Sequence, residues 1–417
     1  MTSTERRSPL DVLGPGLVTG AADDDPSGIG TYSQVGAQFG YGLAWVMLFS
    51  YPLLASIQLI CARIGSVTGH GIAHNLRRHY PLPLLWMAMT LLLVANVVNL
   101  GADLGAMAAA LALVLPGPIV AYTVMFAVIS IVLEVVVSYA RYERILKWTT
   151  ISLFAYILVP FVADLSFRDV LTGLLAPHFR LERDETMALV GLLGTTISPY
   201  LFFWQAGQEI EEQHRLHERP LGIFPRHAGA GLRKIRTDTL VGMAVTHLTA
   251  LAIIIATAAT LHKHGITQIT SADQAAQALR PIAGELAFTL FAIGIVGTGL
   301  LAVPILAGSA AYAVCETNQW VEGLDRKPRE AKAFYGVISA ATLAGLGINF
   351  LQIDPMRALY WSAVVNGLLA PPLMVVTMLI ARNPRIMGRL AISLRLQFGG
   401  WVATIVMSIA GVMFLLS

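Results

Sequence analysis

Two short stretches of this sequence carry the residue types that could do chemistry. The first is Asp23, Asp24 and Asp25, three consecutive carboxylates followed at once by Pro26, Ser27 and Gly28, in the middle of an otherwise apolar stretch. A charge at the centre of a bilayer costs at least ~2.5 kcal/mol on insertion scales. Three of them must therefore face a water-filled cavity, an ion, or both. The competing reading puts the triplet in a loop outside the membrane, between two shorter helices, but then Arg6 and Arg7 and the next basic cluster would face opposite sides. The second stretch runs from Gly191 through Gly194, Thr195, Thr196, Ser198 and Pro199 to Tyr200 and Gln205. Proline removes a donor and clashes with the preceding turn, so a helix breaks there. Unwinding frees carbonyl oxygens, and these can coordinate a cation. Read alone, this second stretch is equally an ordinary proline kink.

The elements that must position these residues follow from composition. Hydrophobic residues make up 56% of the 417 and charged residues 13%, about half the charged share of a soluble globule. Apolar runs long enough to cross a bilayer recur. Only helices or closed barrels satisfy their own backbone in lipid, and the absence of strict alternation chooses helices. Eleven spans are expected, at about 12–40, 42–62, 84–115, 119–140, 148–165, 185–213, 239–261, 285–315, 333–351, 358–381 and 399–416. With the N-terminus in the cytoplasm, the outer segments keep only Arg168, Arg180, Arg183, Lys263, Arg280 and Arg357 of the 28 lysines and arginines. The bias fixes the orientation and leaves the C-terminus outside. The N-terminal residues show no removable signal peptide, Cys61 and Cys315 imply no disulfide framework, and the net charge of +3 points to membrane loops rather than nucleic acid. Ser271 is placed to cap a short outer helix along the membrane surface, and 214–236 reads as a basic cytoplasmic loop. Two Gly/Pro-interrupted spans, five spans apart, are the signature of an inverted-repeat secondary transporter.

At these residues the chain resembles the Nramp family of divalent-metal transporters. Asp25-Pro26-Ser27-Gly28 stands where the family has Asp-Pro-Gly-Asn. Ser198-Pro199-Tyr200 stands where it has Met-Pro-His, and the stretch from Ala62 to Gly69 is similar to the one that follows its second span. The resemblance implies an all-α integral membrane protein of eleven transmembrane helices, with the leucine-transporter-type five-plus-five inverted repeat and broken helices one and six. The whole chain, 1–417, is then one membrane domain, with repeats at about 12–165 and 185–381 and an additional helix at about 399–416. The family's ligand positions carried over are Asp25, Gly28, Ser198 and the Thr195 carbonyl. Asp25 keeps its carboxylate, the asparagine has become Gly28, and the thioether has become the Ser198 hydroxyl. Oxygen ligands suit magnesium and manganese where sulfur suits softer ions, and a widened site fits an ion that keeps its waters. In this the chain is similar to the Nramp-related magnesium transporters. The family's proton-carrying histidine is Tyr200 here, and its span-three Asp and Glu are Asn99 and Ala102, so the expected transport of Mg2+ or Mn2+ is not proton-coupled. Asp103, one turn from Asn99, argues the other way.

Further residues have two readings each. Asp23 and Asp24 attract cations at the cavity mouth, or bond amides freed by the helix break. Gln205 lies two turns beyond Ser198 and lines an inner path, while Glu209 and Glu212 read as a solvated helix end. Asn366 either closes over the ion or bonds a neighbouring helix. The span-ten position that the family uses for a polar residue is Ala363. Glu134 is explained by pairing with a loop arginine. His70 and His74 have zinc-like spacing but lack further ligands. No tightly bound cofactor and no enzymatic activity are expected. The partners are the metal substrate and the bilayer, in a bacterial inner membrane, with the oligomeric state open. The competing functions are a proton-coupled Mn2+/Fe2+ transporter of the ordinary Nramp type, an inverted-repeat carrier of an organic solute, and an intramembrane enzyme using paired aspartates. The last needs a second carboxylate across the cavity, for which Asp103 qualifies.

Overall fold

The protein is described by a computed structural model covering residues 14–137, 154–162, 165–224, 228–324, 326–351 and 353–417. The described residues form helices and no strand. We number them α1 (Pro15–Asp23), α2 (Pro26–Phe39), α3 (Trp45–Thr68), α4 (Ile72–His79), α5 (Leu82–Ala112), α6 (Ile119–Val136), α7 (Phe154–Val162), α8 (Phe167–Leu175), α9 (Arg183–Thr196), α10 (Pro199–Arg215), α11 (Ala228–Thr260), α12 (Ala272–Gln277), α13 (Ala287–Asn318), α14 (Lys332–Ile348), α15 (Pro355–Arg382) and α16 (Leu394–Leu416). Nine segments among the described residues are long and apolar enough to cross a membrane, the broken α9–α10 pair being one of them. The short halves α1 and α2, and the nine-residue α7, fall within the other two expected crossings. Arg6, Arg7, Arg141, Arg144, Lys147 and Arg226 lie outside the described residues.

Both expected breaks are present and are built alike. Asp25 has extended backbone and precedes Pro26 at the first position of α2. Ser198 has extended backbone and precedes Pro199 at the first position of α10. The ring of each proline excludes the helical conformation for the residue before it. Its fixed φ then starts the next helix, where the missing N–H would have had no partner anyway.

Packing follows a crossed pattern. The half-helix α1 lies along α11, the helix after the second break, and the half-helix α10 lies along α3, the helix after the first. This exchange is what an internal two-fold relation between halves produces. Small residues let the backbones close. A Cβ on Gly20 would collide with the carbonyl of Gly242, and one on Gly194 with the carbonyl of Ala363. In lipid, where apolar burial drives helices together weakly, such close contact supplies much of the association.

Three local expectations change. The basic loop expected over 214–236 is shorter, because α11 already begins at Ala228. Its early turns are pinned by Lys234, whose Nζ is 2.6 Å from Glu212, and by Asp238, whose carboxylate accepts the amides of Gly14 (3.1 Å) and Gly16 (2.6 Å) at the start of α1. Ser271 precedes α12 with extended backbone but makes no side-chain cap. Ala275 and Ala276 are fully buried, so that helix docks against the bundle. The amphipathic α8, capped by Ser166, was not foreseen; none of its residues is buried.

Candidate metal-ion site at the paired helix breaks

Asp25 sits at the first break because it is the N-cap of α2, a position that favours a short carboxylate. Its Oδ1 accepts the Gly28 amide and the Ser27 hydroxyl, each at 2.7 Å. Its Oδ2 accepts the Asn99 side-chain amide at 2.8 Å and lies 3.5 Å from the Tyr200 hydroxyl. Asp25 is 2% exposed and has no lysine or arginine partner among the described residues. All four of its donors are neutral.

The second break comes up against the first. Tyr200, one residue beyond Pro199, donates its hydroxyl to the Ala22 carbonyl at 3.0 Å. A Cβ on Gly28 would lie 3.3 Å from Oγ1 of Thr195. Ser198 behaves unlike Asp25. Its hydroxyl turns back and donates to the carbonyls of Gly194 (2.8 Å) and Thr195 (2.9 Å), so it leaves the first amides of α10 uncapped. Its oxygen keeps lone pairs free, and the Thr195 carbonyl keeps one. Asp25, Gly28, Thr195 and Ser198 are thus all buried at one junction of four half-helices. The carbonyl ends of α1 and α9 converge there, and the partial negative charge of helix C-termini suits a cation. No group of three or more His, Cys, Asp or Glu side chains among the described residues is arranged to hold a metal. A cation here would depend on mixed oxygens.

The remaining residues separate into distinct groups. Asn99, Asp103 and Asn366 join the Asp25 network. Asn99 also donates to Asp103 at 3.3 Å and accepts from the Asn366 amide at 3.1 Å, so Asn366 makes an interhelical bond inside the site. Asp23 and Asp24 turn away to α11, where the Thr246 hydroxyl lies 3.2 Å from one and 2.7 Å from the other. Sequence reasoning missed Thr246. The signal available was the pair Thr246 and Thr249, one turn apart and mid-span, since both reach Asp24. Gln205 is fully buried and donates to Glu209 at 3.0 Å. Glu209, expected at a solvated end, is buried instead. Beyond it, Glu209, Glu212, Glu218, Lys234 and Asp238 line a cavity of about 40 Å³. Glu134 is buried with neither oxygen bonded, and the arginines that follow it in sequence lie outside the described residues.

At the end of the bundle, His70 and His74 stack at 3.9 Å between ring centroids. The His74 imidazole is pushed down to about 4 by burial, then by His70 and nearby arginines. The His74 amide and those of Gly71 and Ala73 are held by Glu316. Glu316 thus fixes the backbone at the start of α4, and no third His, Cys, Asp or Glu among the described residues joins the two histidines to hold a metal.

The family model described as natural resistance-associated macrophage protein-like, Nramp, matches residues 16–417. The chain belongs to the Nramp family. Among curated proteins it is similar to the divalent metal cation transporter MntH of Klebsiella pneumoniae strain 342, at 26% identity over 97% of this chain and 94% of the relative. Among solved structures it is similar to the Eremococcus coleocola manganese transporter in complex with an aromatic bis-isothiourea substituted compound. That likeness has a TM-score of 0.76 at 16% identity and covers 99% of this chain and 87% of the other. It is also similar to Mhp1, a nucleobase-cation-symport-1 family transporter, with a TM-score of 0.58 at 15% identity over 97% of this chain and 91% of the other. These structural likenesses establish the all-helical, leucine-transporter-type architecture. In this Nramp chain the broken helices are the places where the architecture and the unusual residues coincide.

Proposed function

We propose that this chain carries a hard divalent cation, Mg2+ or Mn2+, across a membrane by alternating access. Asp25 is the principal ligand, aided by the Ser198 hydroxyl, the Thr195 carbonyl and the opened backbone beside Gly28. The observation that carries the reading is the buried Asp25 carboxylate between two broken helices whose other contributions are all oxygens. Family membership supports divalent-metal transport, and the printed activities of the relatives, divalent metal cation and manganese transport, agree with it. A hydroxyl at position 198 favours magnesium and manganese over soft ions. Tyr200 and Asn99 neither take up nor release a proton near neutrality, so transport runs down the metal gradient without protons. Asp23 and Asp24 supply negative potential beside the site. Gln205, Glu209 and the acidic cavity beyond them form the inner path.

The charge bias of the loops supports a cytoplasmic N-terminus and an outer C-terminus, and the bacterial relatives support a bacterial cell membrane. The test is uptake by proteoliposomes containing the full-length chain. Mn2+ and Mg2+ should enter, with Cd2+ a poor substrate and no acidification of the lumen. Cd2+ uptake exceeding that of Mg2+, together with metal-driven acidification, would identify a proton-coupled transporter of softer ions instead.

A further inference from the structure

Asn99 and Asp103 stand four residues apart on α5 and therefore share a face. The Asn99 amide nitrogen has two protons. It directs one to Oδ2 of Asp25 at 2.8 Å and lies 3.3 Å from Oδ2 of Asp103. Its oxygen is occupied by the Asn366 amide at 3.1 Å, which fixes the nitrogen end between the carboxylates. Asp103 is fully buried, its Oδ1 has no hydrogen-bond partner, and the backbone amide of Ser27 is directed at its carboxyl. Neither carboxylate pairs with a lysine or arginine among the described residues. Two carboxylates in an apolar interior, bridged by one neutral amide, are poorly compensated.

We infer that Asp103 is the second carboxylate ligand of the transported cation, and that the Asn99 amide, bridging the two carboxylates, stands beside the place where the cation binds. The inference rests on the reading that Asp25 holds a divalent cation. When the cation enters, the Asn99 amide reverses. Its oxygen turns toward the ion and its nitrogen toward Asn366. The Asn366 amide reverses in the same step and presents its own oxygen to receive that nitrogen, so neither amide loses its partner. The site then offers two charges and one amide oxygen from α2's cap and α5, in addition to the oxygens of the second break. A divalent ion satisfies the pair of carboxylates, whereas a monovalent ion leaves one charge uncompensated.

The experiment is Mn2+ titration calorimetry on the full-length protein in lipid nanodiscs, with Mg2+ as competitor. Asp103→Asn should weaken Mn2+ binding about thirty-fold or more, with Asp103→Glu recovering most of it and Asp25→Asn abolishing it. Wild-type affinity in a folded Asp103→Asn protein overturns the inference and leaves the transport reading intact. A wild-type protein that binds neither ion overturns both. Anomalous scattering from Mn2+ bound to the wild-type protein is independent of any variant's folding. A peak within coordination distance of both Asp25 and Asp103 is expected. A peak on Asp25 that lies beyond coordination distance of Asp103 overturns the inference alone.

Discussion

The two helix breaks share a backbone design and differ in what their side chains do with it. Each has an extended residue before a proline that opens the next half-helix. At the first, Asp25 turns forward, caps α2 through the Gly28 amide and collects donors from Asn99 and Tyr200. At the second, Ser198 turns backward onto Gly194 and Thr195. An ionised carboxylate only accepts, so it seeks the freed amides at a helix start. A hydroxyl can donate, so it can satisfy the carbonyls freed at a helix end. One fold element used twice thus yields a charged half-site and a neutral, carbonyl-rich half-site.

Substitutions can break that asymmetry, and their expected effects descend in order. Asp25→Asn removes the charge of the principal ligand at the first break and should lower Mn2+ affinity by two orders of magnitude or more, roughly 3 kcal/mol, in calorimetry. An equal loss from Ser198→Ala would show that the halves are equivalent. Ser198→Met places a thioether at the second break and should raise the preference for Cd2+ over Mg2+ about tenfold in competition binding. Tyr200→Phe cuts the tie between the breaks and leaves the Ala22 carbonyl without its donor. It should cost about 1 kcal/mol, measured as a lower Tm in a membrane mimetic.

The smallest effect lies away from both breaks and serves as their control. His74 titrates at about 4 in the folded protein because of burial and its basic neighbours, below the ordinary value of about 6.5. The unfolded chain therefore binds the extra proton first, and stability should decline as pH falls from about 6.5 toward 4. A His74→Phe protein should show a shallower fall in Tm over that window, with Mn2+ affinity at neutral pH unchanged.

What the sequence alone determined is local. Prolines 26 and 199 dictated where helices stop and restart, because the ring acts on its immediate neighbours. Apolar runs dictated where the chain crosses the bilayer, because the backbone of each run must satisfy itself. The extended start of α11 was the least legible, because Lys234 and Asp238 find partners on α10 and α1 rather than within their own turn. Tertiary structure alone decided how three adjacent aspartates divide. Asp23 and Asp24 go to Thr246 on α11, while Asp25 goes to Asn99 on α5. It also gathered Asp103 and Asn366 around one amide. Those choices depend on helix rotation and on contacts between residues far apart in the chain, and neither is encoded in the spacing of any one segment.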